Sequence, residues 1–161
     1  MFKIKLLILL LVSLIISSCV VANKPSKQYT LGYIGGGVDG LIYSNILTAQ
    51  LESFGIFNKN SSYQVNTSIS HDQELYITNI NKTSDRERII SSIKTEVLDL
   101  NQNCIIFRYD KKIKQFYVIS TNINFTSNQK AIETIKRKNS EILSKDLIYK
   151  LIELNNTTCN E

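Results

Sequence analysis

The sequence predicts an α+β domain, a two-layer sandwich in which two helices pack on one face of a mostly antiparallel or mixed sheet of about four strands. Apolar residues recur at helical spacing near both ends of the predicted domain, over 41–54 and 128–154. Between these segments apolar and polar residues alternate, as in strands that bury one face. The order strand, helix, several strands, helix therefore favours one sheet covered on one side.

A first strand is predicted over 28–34, and glycines separate it from the first helix. Asp39 is suited to be the N-cap of that helix and Gly55 to end it. One helix face is apolar, so it should pack against the sheet. Its members are Tyr43, Leu47, Leu51 and Phe54, with Ile42 and Ile46 beside them.

The central segments predict strands. Residues 63–71 alternate strictly, and 74–80 are either a continuation of that strand or a short partner. The β-branched residues of 86–100 and the turn after them favour a long strand over a helix. The turn signal "DKKIK" predicts a further hairpin within 104–125.

The final helix, 128–154, is the clearest element. It has an apolar stripe, and its basic residues lie largely off that stripe. The stripe consists of Ile132, Ile135, Ile142, Leu143, Leu147, Leu151 and Leu154, and the basic residues are Lys136, Arg137, Lys138 and Lys145.

Residues 1–18 have the features of a secretory signal, with Lys3 and Lys5 before an apolar run that is short for a membrane span. Two serines then precede Cys19, which is the lipobox pattern of bacterial lipoproteins. We expect cleavage before Cys19 and lipidation of this cysteine, palmitate included. The alternative is an ordinary signal with a stray cysteine. Position 20 is Val and not the Asp that marks retention in the inner membrane. The absence of that Asp favours the periplasmic face of the outer membrane.

The predicted organisation is therefore a signal peptide (1–18), a lipidated tether (19–28), an α+β domain (29–155) and a polar tail (156–161). The formal charge of +5 falls by two when the signal leaves with its two lysines. So mild an excess does not indicate nucleic acid as a partner, and it is compatible with an acidic, phosphorylated lipid.

The glycines before the first helix form G-x-G-x-x-G at Gly35, Gly37 and Gly40. A dinucleotide site would also need an acidic residue about twenty positions later, after a second parallel strand. The next predicted strand ends too far along, at His71-Asp72. We interpret the glycines as a strand-to-helix connection, with a small-ligand site in the Gly35–Gly40 loop as a remote alternative.

No catalytic, cofactor or metal site is predicted. His71 is the only histidine, and its acidic neighbours have no second cluster with which to hold a metal ion. A histidine in a predicted loop is usually solvated. For Cys104 and Cys159 the sequence leaves two alternatives open, a disulfide, which the periplasm permits, or two thiols that never meet.

The assembled pattern resembles a known family. A lipobox and a short strand precede "DGLIYSNILTAQLESFG", then "YQVNTSIS", the Arg-led strand "RERIISSIKTEVLDL" and a final helix. This order and spacing, over most of 29–154, is similar to that of the LptE family of lipopolysaccharide-assembly lipoproteins. The similarity is to the divergent alphaproteobacterial and chlamydia-like forms of that family. The segment 104–125 is longer than the corresponding strand of that family.

The resemblance implies the same sandwich fold and a non-enzymatic role as the plug of the LptD β-barrel, where the protein assists lipopolysaccharide insertion. It also implies lipopolysaccharide binding by basic residues. Arg88 matches the strand-leading Arg of the family, and Lys111 and Lys112 are added as loop candidates on charge alone. The alternative is another small outer-membrane lipoprotein, either a transport auxiliary or a secretin pilot.

Overall fold

The computed structural model describes residues 27–77, 84–118, 125–154 and 159. The predictions for the signal peptide, Cys19, most of the tether and most of the tail lie outside these residues. The described elements are β1 (Thr30–Gly35), α1 (Gly37–Ser53), β2 (Tyr63–Ile77), β3 (Ser84–Asp99), β4 (Cys104–Val118) and α2 (Phe125–Glu153). None of the described helices is both long and apolar enough to cross a membrane.

The four strands form one mixed sheet in the order β1-β2-β3-β4. β1 runs parallel to β2, and the other neighbours are antiparallel. Both helices pack on the same face of this sheet, with α1 contacting β1 and β2 and α2 contacting β3 and β4. The predicted α+β sandwich is therefore confirmed. We call the uncovered face of the sheet the open face.

The two ends of the sheet differ in width. We call the end at which β1, β2 and β4 begin the proximal end, and the opposite end distal. β1 pairs with β2 only from Gln64 to Ser68, so the distal part of the sheet has three strands. The helices run in parallel, since Asp39 meets Lys136 and Phe54 meets Tyr149. The first part of α2 consequently extends past the start of α1, over the distal sheet.

The apolar core lies between the helices and the proximal sheet. Its fully buried members include Tyr43, Leu47 and Leu51 of α1 and Leu143, Leu147, Ile148 and Leu151 of α2. Each such side chain contributes about 1.5–3 kcal/mol when it leaves water. The stripe predicted for the final helix is confirmed in this half, except that Ile142 is 41% exposed.

The α1 helix corrects one predicted cap and confirms the other. Gly36, and not Asp39, is the N-cap, and it makes no side-chain capping bond. Gly36 has a φ of 118°, a conformation that glycine adopts readily. The helix therefore starts directly after Gly36, which is earlier than predicted. At the other end Gly55, with φ of 68°, and the bond from Ile56 N–H to the Leu51 carbonyl form a Schellman motif.

The hairpin predicted within 104–125 is wrong. β4 is one continuous strand through the segment "DKKIK", and it pairs with β3 from Arg86 to Asp99. Hydrogen bonds to the long partner strand β3 hold the lysine-rich segment extended, although its local sequence favours a turn. The segment 74–77 likewise continues β2, so His71 lies within a strand and not in a loop.

Candidate functional site

The alternation of β4 separates the two predicted lysines. Successive side chains of a strand point to opposite faces, so Lys111 faces the helices and Lys112 lies on the open face. The register supports this placement, since Lys111 lies opposite the buried Ile93 and Lys112 opposite Ser92. The two lysines are therefore not loop residues and do not form one site.

Lys111 contributes to the packing of α2 on β4. Its ammonium group lies 3.2 Å from a carboxylate oxygen of Asp146, which also accepts a 3.2 Å hydrogen bond from the Tyr109 hydroxyl. Burial, and then the nearby Asp146 charge, raise the pKa of Tyr109 to about 12. These contacts indicate a structural role for Lys111.

The open face instead carries a strip of three cations, Arg88, Lys112 and Lys114, which we call the cationic strip. Arg88 donates a 3.0 Å hydrogen bond from Nε to Glu74, and this bond holds the pKa of the Glu74 carboxyl below its ordinary value. Lys112 and Lys114 form no ion pair with another described side chain. They are the members most available to an anion.

Apolar side chains continue the strip toward the distal end. Phe116 lies opposite Arg88 and is 53% exposed, and Val118 follows on the same face at 67% exposure. A cationic strip that ends in exposed apolar side chains suits a ligand with phosphate groups and hydrocarbon. The sequence analysis missed Lys114, which strand periodicity would have selected in place of Lys111.

A shallow depression of about 520 Å³ occupies the proximal part of the open face. Two of its charges are paired within the sheet, as Arg108 Nε lies 3.0 Å from a Glu96 oxygen. Tyr33, 74% exposed, lies at its rim. The charged residues of this lining balance, Lys94 and Arg108 against Glu96 and Asp110, which distinguishes it from the cationic strip.

The glycine-rich connection has a structural explanation. A Cβ at Gly36 would lie 2.5 Å from the Ile69 carbonyl oxygen, and one at Gly40 would lie 2.7 Å from the Gly35 carbonyl oxygen. These glycines therefore let α1 approach the sheet closely. Asp39, in the first turn of α1, lies 3.7 Å from the Lys136 ammonium, so a carboxylate already complements the helix N-terminus.

His71 belongs to a polar cluster between the distal sheet and α2. Its Nδ1 lies 2.7 Å from Ser91 Oγ, and its Nε2 lies 3.5 Å from Ser140 Oγ. The Asn139 amide donates a 2.8 Å hydrogen bond to the same Ser91 oxygen. Burial lowers the pKa of the imidazole. We call these four residues the polar seam. The expectation of a solvated histidine is wrong, because the strand continues and α2 covers it.

The two late cysteines meet at the proximal end. Cys104 and Cys159 are joined by a disulfide with their Cα atoms 5.9 Å apart. The bond fastens the end of the chain to the start of β4. Within the described part of the chain, no group of three or more His, Cys, Asp or Glu residues could hold a metal ion.

No protein-family model and no curated protein matches the sequence. Solved structures do share the fold. Rare lipoprotein B from Shewanella oneidensis superposes with a TM-score of 0.62 at 6% identity, over 77% of this chain and 94% of that one. A minor lipoprotein from Acinetobacter baumannii gives 0.59 at 13%, over 79% and 91%. An uncharacterized lipoprotein B from Nitrosomonas europaea gives 0.51 at 11%, over 78% and 79%. At these identities the likeness shows a shared sandwich fold.

Proposed function

We propose that this protein is an outer-membrane lipoprotein that assists lipopolysaccharide assembly as the plug of a β-barrel of the LptD type. The observation that carries the proposal is the fold, which is shared with several bacterial lipoproteins. The lipobox at Cys19 supports it independently. The open face adds support, because a polar barrel lumen suits a partner with a mixed, charged surface.

The proposed role is non-enzymatic. The protein would act by fitting against a partner and by contacting phosphorylated lipid through the cationic strip. Lys112 and Lys114 would provide charge-assisted contacts to phosphate, and Phe116 and Val118 would lie against hydrocarbon. Arg88 would have to exchange its bond with Glu74 for one with the ligand.

Crosslinking in native envelopes, followed by identification of the attached protein, tests the partner. A barrel of the LptD type supports the proposal. A secretin or another transport component would favour the alternative lipoprotein role. An unacylated chain in the cytosol that turns over a soluble metabolite would contradict both.

A pair of neighbouring lysines tests the lipid contact. We expect Lys112→Gln to weaken capture of lipopolysaccharide by up to about fivefold, the range of one exposed ion pair. Lys111→Gln is the matched control, since it removes the same charge from the helix-facing side. Equal effects of the two variants, or none, would show that the cationic strip is not the contact surface.

A further inference from the structure

We propose that the shallow depression on the proximal part of the open face binds a saccharide, with one sugar ring lying on the aromatic ring of Tyr33 and the sugar hydroxyls bonded to side chains of β2, β3 and β4. We call this site the proximal depression. The inference goes beyond the lipid contact at the cationic strip and does not depend on it.

Tyr33 is presented as an exposed aromatic platform. The register of β1 on β2 shifts between Leu31 and Ile34, and at this bulge Tyr33 turns toward the open face, where it lines the proximal depression. Its backbone N–H donates a 2.9 Å hydrogen bond to the side-chain oxygen of Asn66, so the bulged donor is satisfied. The side chain of Tyr33 is nevertheless 74% exposed, and a ligand can reach its ring.

The two glycines that flank this part of β1 make room for the platform. A Cβ at Gly32 would meet the side chains of Gln64 and Asn66, at 2.5 Å from Gln64 Nε2. A Cβ at Gly35 would lie 3.1 Å from Tyr33 Cε1 and 3.3 Å from its hydroxyl oxygen, so the ring lies close over this glycine. Neither glycine has a positive φ, so backbone conformation does not explain them. Space on the open face does.

Strand register places polar side chains in two rows beside the ring. The rows cross β2, β3 and β4, and they consist of Ser68, Lys94 and Asp110 and of Asn66, Glu96 and Arg108. Arg108 and Glu96 bond to each other. Lys94 and Asp110 form no ion pair with another described side chain. The row that contains them therefore keeps donors and an acceptor for a ligand.

These features select a neutral, hydroxyl-rich ligand. The two cations of the depression are balanced by two carboxylates, so no excess charge attracts an anion. A wholly apolar ligand would leave Lys94 and Asp110 without partners. A pyranose meets both requirements, because its C–H groups can lie on the negative face of an aromatic ring while its hydroxyls donate and accept. The volume of about 520 Å³ is that of a small-ligand site.

NMR titration of the processed chain with cellobiose tests the site, in a detergent without sugar head groups. The equatorial substituents of this disaccharide leave ring faces of C–H groups for Tyr33. We expect saturable shifts of the amide signals of Tyr33, Asn66 and Lys94. Tyr33→Ala should weaken binding about tenfold, the range of one aromatic contact, and Tyr33→Phe should bind as before. Shifts that do not saturate, or that persist unchanged in Tyr33→Ala, would overturn the proposal.

A second tyrosine provides the matched control. Tyr149 is 45% exposed on the helix side of the domain, where it packs against Phe54. Tyr149→Ala should leave cellobiose binding unchanged. An equal loss in Tyr33→Ala and Tyr149→Ala would mean that the sugar does not lie on the Tyr33 ring, and the proposal would be wrong.

Phosphorylated probes distinguish the source of the saccharide. Lys112 follows Asp110 on the same face of β4, about 7 Å further along the strand. If glucose 1-phosphate binds more tightly than glucose, and Lys112→Gln removes the gain, the saccharide is the head group of a phosphorylated glycolipid. Equal binding indicates an uncharged glycan. Inorganic phosphate that shifts Tyr33 and Lys94 as strongly as cellobiose would indicate an anion site and contradict the proposal.

Discussion

The proximal and distal halves of this domain share α2 and the strands β2, β3 and β4, but the distal half adds buried polar contacts to its apolar ones. In the proximal half, Leu147 and Leu151 of α2 are enclosed by the apolar core, and a disulfide fastens the chain end to β4. In the distal half, Asn139 and Ser140 meet His71 and Ser91 through hydrogen bonds. Apolar burial contributes steadily to stability, whereas a hydrogen bond exchanged with water contributes little net free energy.

The comparison shows that the most deeply buried part of α2 and its more accessible part lie at opposite ends of the helix. Local opening is drawn from the least stable part of a fold. Here the fully buried leucines of α2 lie at the proximal end, and the first part of α2 lies at the distal end. Variants in the proximal half should therefore destabilise the whole domain.

The largest expected effect is at the proximal clamp. Replacing both cysteines, Cys104→Ser with Cys159→Ser, frees a loop with a sequence separation of 55 residues. Chain entropy predicts a loss of about 4 kcal/mol in the free energy of unfolding. Calorimetry should show one transition at a lower Tm for the whole domain. An unchanged Tm would mean that the tail contributes nothing to the proximal half.

The next effect is in the core. Leu147→Ala should cost about 3 kcal/mol, since its side chain is fully buried and leaves a cavity. Denaturant unfolding measures this loss. Ile142→Ala is the control on the same helix, because Ile142 is 41% exposed and should cost well under half as much. Similar losses at both positions would contradict the assignment of the core face.

The smallest of these effects is at the boundary between the halves. Gly36→Ala places a Cβ 2.5 Å from the Ile69 carbonyl oxygen in a residue with φ of 118°, and should cost about 2 kcal/mol. Gly37→Ala has a positive φ but nothing within 4 Å, so it should cost about 1 kcal/mol. Thermal unfolding of the two variants gives the comparison. If Gly37→Ala were the costlier change, close approach of α1 would not explain the glycines.

The sequence predicted those elements whose local pattern agrees with their environment. Leu143, Leu147 and Leu151 define a helix face wherever the helix packs, and Ile89, Ile93 and Val97 define a strand face. The end of α1 at Gly55 was predictable because it depends on the positive φ of this glycine itself and not on a distant residue. The pattern failed at "DKKIK", where a long partner strand overrode a local turn signal, and at Asp39, where Gly36 caps the helix first.

For the candidate site, the sequence identified the types of residue but not the face of the sheet on which each side chain lies. Lys111 and Lys112 are adjacent in the chain, and only the continuous strand β4 places them on opposite sides of the sheet. The sequence by itself determined the α+β layering, because hydrophobic period is a local property of each segment. The cationic strip, the disulfide and the polar seam were decided by tertiary structure alone. Each joins residues far apart in the chain, and strand register, which no local pattern specifies here, determines which of them meet.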